Sequence, residues 1–312
     1  MFRYLRLIFP FIVFLCVSAA ADQPDSSKTR QRGIHLKRLA YVGVAAAGVH
    51  WVGYRYFERT WWQGQNTGRF RVVYDWSGDT LLNMDQSGHF MAGILFTQTA
   101  RDLYHWIGFS PRTAMLLGSL SSIAELLYIE FRDGRSDQWG FSIPDATADV
   151  LGALIPLIHA YIPASQAVRF KFSYFPSSLY RDRKARQVSG RPFVHAVIDD
   201  YEGITFWMVL NPKPFLMGPA SELWPNWLGV AVGIGAQGLH GFNHKSRGPD
   251  RRYPNLPDAQ REILLSLDFD VAHLLRDCEA LRKFMPYLRL SRFPTPALRI
   301  YPTRTFYLLY FG

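Results

Sequence analysis

The chain has 312 residues, and 35 Lys and Arg against 25 Asp and Glu give it a formal charge of +10. Hydrophobic residues make up 48% of it, which excludes a disordered chain because there is ample apolar material for a core. The length allows one large domain or two ordinary ones. The two cysteines, Cys16 and Cys278, exclude a disulfide framework and a cysteine-rich zinc site.

Residues 1–21 read as a signal peptide. Arg3 and Arg6 give a positive start, residues 7–17 are apolar, and Ser18, Ala19, Ala20 and Ala21 supply the small residues a signal peptidase accepts. As a helix the apolar run reaches at most ~17 Å, against ~30 Å for a hydrocarbon core, so cleavage is favoured over an uncleaved anchor. Leu15 stands where a lipobox before Cys16 would place a small residue, which favours ordinary cleavage over lipidation. Cleavage removes two arginines and leaves Cys278 alone, as befits an exported protein without structural disulfides. Residues 22–35 are a polar linker.

Residues 36–165 carry a helical and unusually apolar pattern, with predicted helices at 36–56, 88–106, 113–131 and 145–162. The last three approach membrane-spanning length. Arg101, Asp102, Glu125 and His159 fall inside them, and polar residues at such depth face a bundle interior. A buried-helix domain resting on a membrane is therefore preferred to a spanning bundle.

Residues 166–312 switch to a period of two. Phe170 and Phe172 alternate with Lys171 and Ser173, and Phe206, Met208 and Leu210 with Thr205, Trp207 and Val209. A third run, residues 263–271, does the same, and residues 305–311 are aromatic on both faces. Residues 229–235 read as a strand whose small residues mark close packing, and a short helix is expected over 271–284. The fold class expected is α+β: an N-terminal apolar helical bundle followed by a mostly antiparallel β-sheet or small partial barrel. One greasy face fits both a soluble sandwich and a membrane barrel.

The polar residues of the helical part invite two readings. Asp85 and His89 share a helix face, as do Asp145 and Asp149, while Glu130 and Asp133 lie one turn apart. Read structurally, Asp85 is an N-cap, Ser142 and Asp145 form a capping box, and Asp133 with Gly134 ends a helix at a left-handed turn. Read chemically, His89, Glu130, Asp145 and Asp149 are acid–base candidates, and Asp85, His89, Glu130 and Asp133 could ligate a divalent metal. Glu130 and Asp149 occur on apolar stretches, where a buried carboxylate requires a partner.

These same residues carry a resemblance. Met84-Asp-Gln-Ser-Gly-His-Phe90, Ile129-Glu-Phe-Arg-Asp-Gly134, Trp139-Gly-Phe-Ser142 and Asp145 through Gly152 resemble the YfiM-like group of predicted periplasmic lipoproteins. More distantly they resemble the VanZ-like membrane domains. Asp85, His89, Glu130, Asp133, Ser142, Asp145 and Gly152 match the group's pattern, whereas Gln86 replaces its usual Lys and Asp149 its usual Asn. The strand-rich half, with Tyr201-Glu-Gly-Ile-Thr-Phe-Trp207, resembles the group's longer members. The resemblance implies an envelope location, in the periplasm or at the outer membrane, and no activity.

The leading expectation is a non-catalytic envelope protein that contacts membrane lipid or another envelope protein. Basic runs at Arg181, Arg183, Lys184 and Arg186, and at Arg251, Arg252 and Tyr253, would suit anionic headgroups. Nucleic acid is not expected, because export separates the chain from it. The rival is a metal-dependent or acid–base enzyme acting on a lipid-linked or cell-wall substrate.

Overall fold

The computed structural model describes residues 33–60, 62, 69–78, 81–136, 139–177, 181, 200–239 and 259–312. The signal peptide, most of the linker and the basic residues at 183–186 and 251–253 lie outside the described residues. The chain divides into two compact units, one comprising Met1–Tyr74 with Ala92–Ile158, the other Asp75–Met91 with His159–Gly312.

The first unit is helical. Helix α1 (Leu36–Thr60) is largely exposed and is tied down at its start and at its middle. The backbone N–H of His35 donates to Ile107 O at 2.9 Å, Arg38 donates to Trp106 O at 2.8 Å, and His50 pairs with Glu125 at 2.8 Å. Glu125 is thus on an exposed face, not in a bundle interior. Two short strands, β1 (Val72–Val73) and β2 (Phe141–Ser142), pair in parallel.

Helix α2 (Met84–Ile107) contributes its residues from Ala92 onward to this unit, joined by α3 (Pro111–Asp133) and α4 (Ile143–Tyr161). Ser110 accepts the Thr113 N–H, and Pro111, lacking an N–H to satisfy, follows it, so α3 starts as its sequence dictates. The three helices meet through small residues. A Cβ on Gly93 would stand 2.7 Å from Asp149 O, and one on Gly118 would stand 2.8 Å from Thr97 O. Hydroxyls complete the contact: Thr97 and Ser119 both donate to Ala153 O, and Ser122 donates to Gly93 O. Leu116, Leu120 and Leu151 of α3 and α4 remain exposed. Both helices are long and apolar enough to cross a membrane.

The second unit is built on six strands in sequence order, β3 (Val168–Tyr174), β4 (Ile204–Leu210), β5 (Leu228–Gln237), β6 (Gln260–Phe269), β7 (Thr295–Tyr301) and β8 (Thr305–Tyr310). Every neighbouring pair is antiparallel, and the sheet does not close on itself among the described residues. This is the α+β architecture expected from the change of period, with one curled sheet in place of a two-sheet sandwich. The outer edge of β3 is partly covered, because the Phe172 N–H donates to Leu290 O and the Arg292 N–H to Phe172 O, each at 2.8 Å. The expected helix over 271–284 breaks into Val271–Leu274 and a tighter turn at Glu279–Phe284. Residues 274–280 bury no face, so nothing rewards a continuous helix there.

The concave face of the sheet is polar at its centre. The row Lys171, Trp207, Gly233, Leu264, Arg299 and Thr305 runs inward across all six strands. Lys171 Nζ donates to Asp268 Oδ2 at 2.7 Å, and both side chains are almost sealed, 1% and 0% exposed. Burial pulls the Lys171 ammonium below its ordinary range, and Asp268 opposes that pull. The Arg292 guanidinium lies 3.8 Å from the centre of the Trp207 ring, and burial pulls it down to about 10. Gly233 is small because that ring lies above it: a Cβ would stand 2.6 Å from Trp207 Cζ3.

Removing one partner of a sealed ion pair leaves the other charge uncompensated. Lys171→Ala is therefore expected to lower stability by about 3–5 kcal/mol. Lys171→Met combined with Asp268→Leu should recover most of it in chemical unfolding.

Candidate functional site

Two carboxylates of the helical unit, Glu130 and Asp133, are held at the end of α3. Glu130, near the end of α3, is buried, and its Oε2 accepts the Ser142 N–H at 3.0 Å. Ser142 in turn accepts the Asp145 N–H on its Oγ at 3.3 Å, which caps α4. Half of the expected capping box is therefore present. In such a box the third helical residue returns a bond to the cap's own N–H. Here Glu130, reaching over from α3, makes that bond in place of Asp145.

Asp133 accepts from the indole Nε1 of Trp62, and Arg132 lies 5.1 Å from the Trp62 ring and 5.3 Å from the Tyr54 ring. Gly134 is right-handed (φ −56°), so the expected left-handed helix end is absent. Its lack of a side chain serves packing: a Cβ would stand 2.7 Å from Phe70 Cζ. The left-handed turn comes later, at Gly140 (φ +98°).

Asp145 and Asp149 are both buried on the face of α4 that also buries Gly152 and Pro156. A carboxylate oxygen of Asp149 lies within 4.8 Å of one of Glu130. Like charges buried at that separation need positive charge or donors beside them. Gly93 lies against the Asp149–Ala153 backbone, which sets α2 and α4 close together at this level.

In the second unit, Asp85 and His89 occupy the first two turns of α2. The helix begins at Met84, after Leu82 and Asn83 have turned the chain with positive φ, so Asp85 lies inside the helix and is not its N-cap. His89 Nε2 is 3.7 Å from Asp85 Oδ1, and the Tyr201 hydroxyl donates to the same oxygen at 2.7 Å. His89 and Gly93 lie one turn apart on a single face of α2.

Thus Glu130 and Asp149 approach within one unit, and Asp85 and His89 pair within the other. Asp133 is engaged by an indole. Trp62 and Tyr201 are the partners that sequence reasoning missed. The paired tryptophans at 61 and 62 after the first helix, and a tyrosine just before a strand, were the only local signals.

Residues 75–160 match the model of a family described as predicted periplasmic lipoprotein (DUF2279). The match spans the motifs of α2, α3 and α4 but less than a third of the chain. It supports an envelope protein exported to the periplasm. No curated protein and no solved structure matches the chain.

Glu130→Ala removes the acceptor of a buried N–H together with a buried charge. It is expected to lower stability by about 3 kcal/mol in equilibrium unfolding. A loss below about 0.5 kcal/mol would place Glu130 at the surface instead.

Proposed function

We propose that the protein is a non-catalytic, membrane-associated scaffold of the cell envelope, whose β unit binds membrane lipid or another envelope protein. One observation carries this reading: three of the five candidate carboxylates bond to structural groups. Glu130 holds the N–H that begins α4, Asp133 holds Trp62, and Asp85 holds Tyr201. Groups engaged in this way fix helix ends and packing within each unit. The YfiM-like and VanZ-like likenesses, carried by the same residues, fit this reading and assign no activity. Association with the outer membrane belongs to the proposal, and export would keep nucleic acid away.

A second reading is favoured by the closeness of Glu130 to Asp149 and by the position of His89 one turn before Gly93. In it, His89, Glu130, Asp145 and Asp149 serve a metal-dependent or acid–base enzyme acting on a lipid-linked or cell-wall substrate. His89 would be ligand or general base, and the carboxylates ligands or acid.

Metal analysis separates the two. The purified chain is expected to carry no stoichiometric divalent metal and to keep its unfolding midpoint when divalent cations are added. A stoichiometric metal that is lost in His89→Ala would establish the enzyme reading. Fractionation of cells expressing the tagged chain should place it in the envelope, and a cytoplasmic chain would overturn both readings.

A further inference from the structure

The outward face of the sheet inverts the polarity of a water-soluble one. A single register row crosses β4 to β8 through Met208, Val232, Leu265, Leu298 and Phe306. All five side chains are exposed, Phe306 at 66%, and Leu308 two residues further on reaches 73%. The opposite face buries Lys171, Asp268, Arg292 and Thr295. Water-soluble sheets bury their aliphatic face and leave the polar one outside.

The curl of the sheet limits what can cover this surface. The inner faces of β4 and β8 converge: the Trp207 and Tyr310 rings are 5.8 Å apart, and Thr205 Oγ1 is 3.0 Å from the Tyr310 hydroxyl. Their outer faces must then diverge, so the apolar row runs around a curved wall. One folded partner would cover part of such a wall, whereas a fluid covers all of it. The composition agrees, because the row is mainly aliphatic, whereas protein interfaces are anchored by Trp, Tyr and Arg. At the β7–β8 turn, exposed Tyr301 and Arg304 supply the aromatic and cationic border typical of a headgroup layer.

The helical unit, taken by itself, repeats the pattern in part. Its helices meet through Gly93, Gly118, Ser119 and Ser122 beside buried Ile94, Met115 and Leu126, and expose Leu116 and Leu120. Small and hydroxylated contacts with aliphatic exteriors are how helices pack in lipid.

We propose that the outward face of strands β4–β8 is seated in the acyl-chain layer of a membrane, with lipid as its occupant. This rests on the envelope reading above and narrows its two partners to one. The test uses the full chain with Cys16→Ser and Cys278→Ser as parent and either Val232→Cys or Leu298→Cys carrying an environment-sensitive fluorophore. The labelled protein is reconstituted with phosphatidylethanolamine and phosphatidylglycerol vesicles. Both labels are expected to lose fluorescence to lipids brominated midway down the acyl chain, and to lose less to a quencher on the headgroup. Labels quenched only from the headgroup, or not quenched in a protein that still fractionates with the envelope, would overturn this inference and leave the envelope reading standing. A protein found in the cytoplasm would overturn both.

Discussion

A charge or polar group taken out of water must find its partner inside the protein, and that constraint organises both units. In the helical unit it joins the Glu130 carboxylate to the first free N–H of the next helix. In the β unit it joins Lys171 to Asp268 across the concave face. Each bond links separate elements, 12 residues apart in the first case and 97 in the second, so each specifies tertiary structure more than it adds to the total burial. Much aliphatic surface lies outward on α3, α4 and the sheet, while Met115, Leu126, Val209 and Leu264 are buried beside the polar pairs. With aliphatic residues on both sides of these elements, the polar pairs mark which side faces in.

This arrangement gives the small residues their meaning. Gly93 and Gly118 bring helix backbones close enough for Thr97, Ser119 and Ser122 to reach carbonyls on neighbouring helices. A bulkier residue at either position would separate the helices and take those hydroxyls away from the carbonyls they reach. Pairs of this kind are short-range and directional, so they hold helices together where the hydrophobic effect between them is weak.

Much of the fold could be read along the chain. The period-two alternation of residues 168–174 and 204–210 announced strands, and the sparse charge of residues 113–131 announced a long apolar helix. The Ser142 cap was visible too, because S-x-x-D is a local signal. Less legible was whatever depends on long separation. Nothing near Asp85 announces Tyr201, and nothing near Lys171 announces Asp268. The substitution of Glu130 for Asp145 in the capping box was hidden for the same reason, since the competing acceptor lies on another helix. Gly134 misled because glycine after a helix usually signals chirality, whereas here a phenyl ring occupies the space a side chain would need. The candidate site was therefore legible as a set of residue types, while its partners were not.

The inner side of β5 carries a last consequence. Gly229, Ala231, Gly233 and Gly235 form a near-bare track beneath Val209, Trp207 and their neighbours, while Val230, Val232 and Ile234 alternate with them on the other side. Evolution should treat the two halves of this one strand differently. At Gly229 and Gly233 the track admits almost no bulk, since a branch collides with Val209 or with the Trp207 indole. The alternate positions can exchange one aliphatic group for another with little effect. A strand whose odd and even positions drift at such unequal rates would bear the imprint of its curvature in the sequences of its descendants.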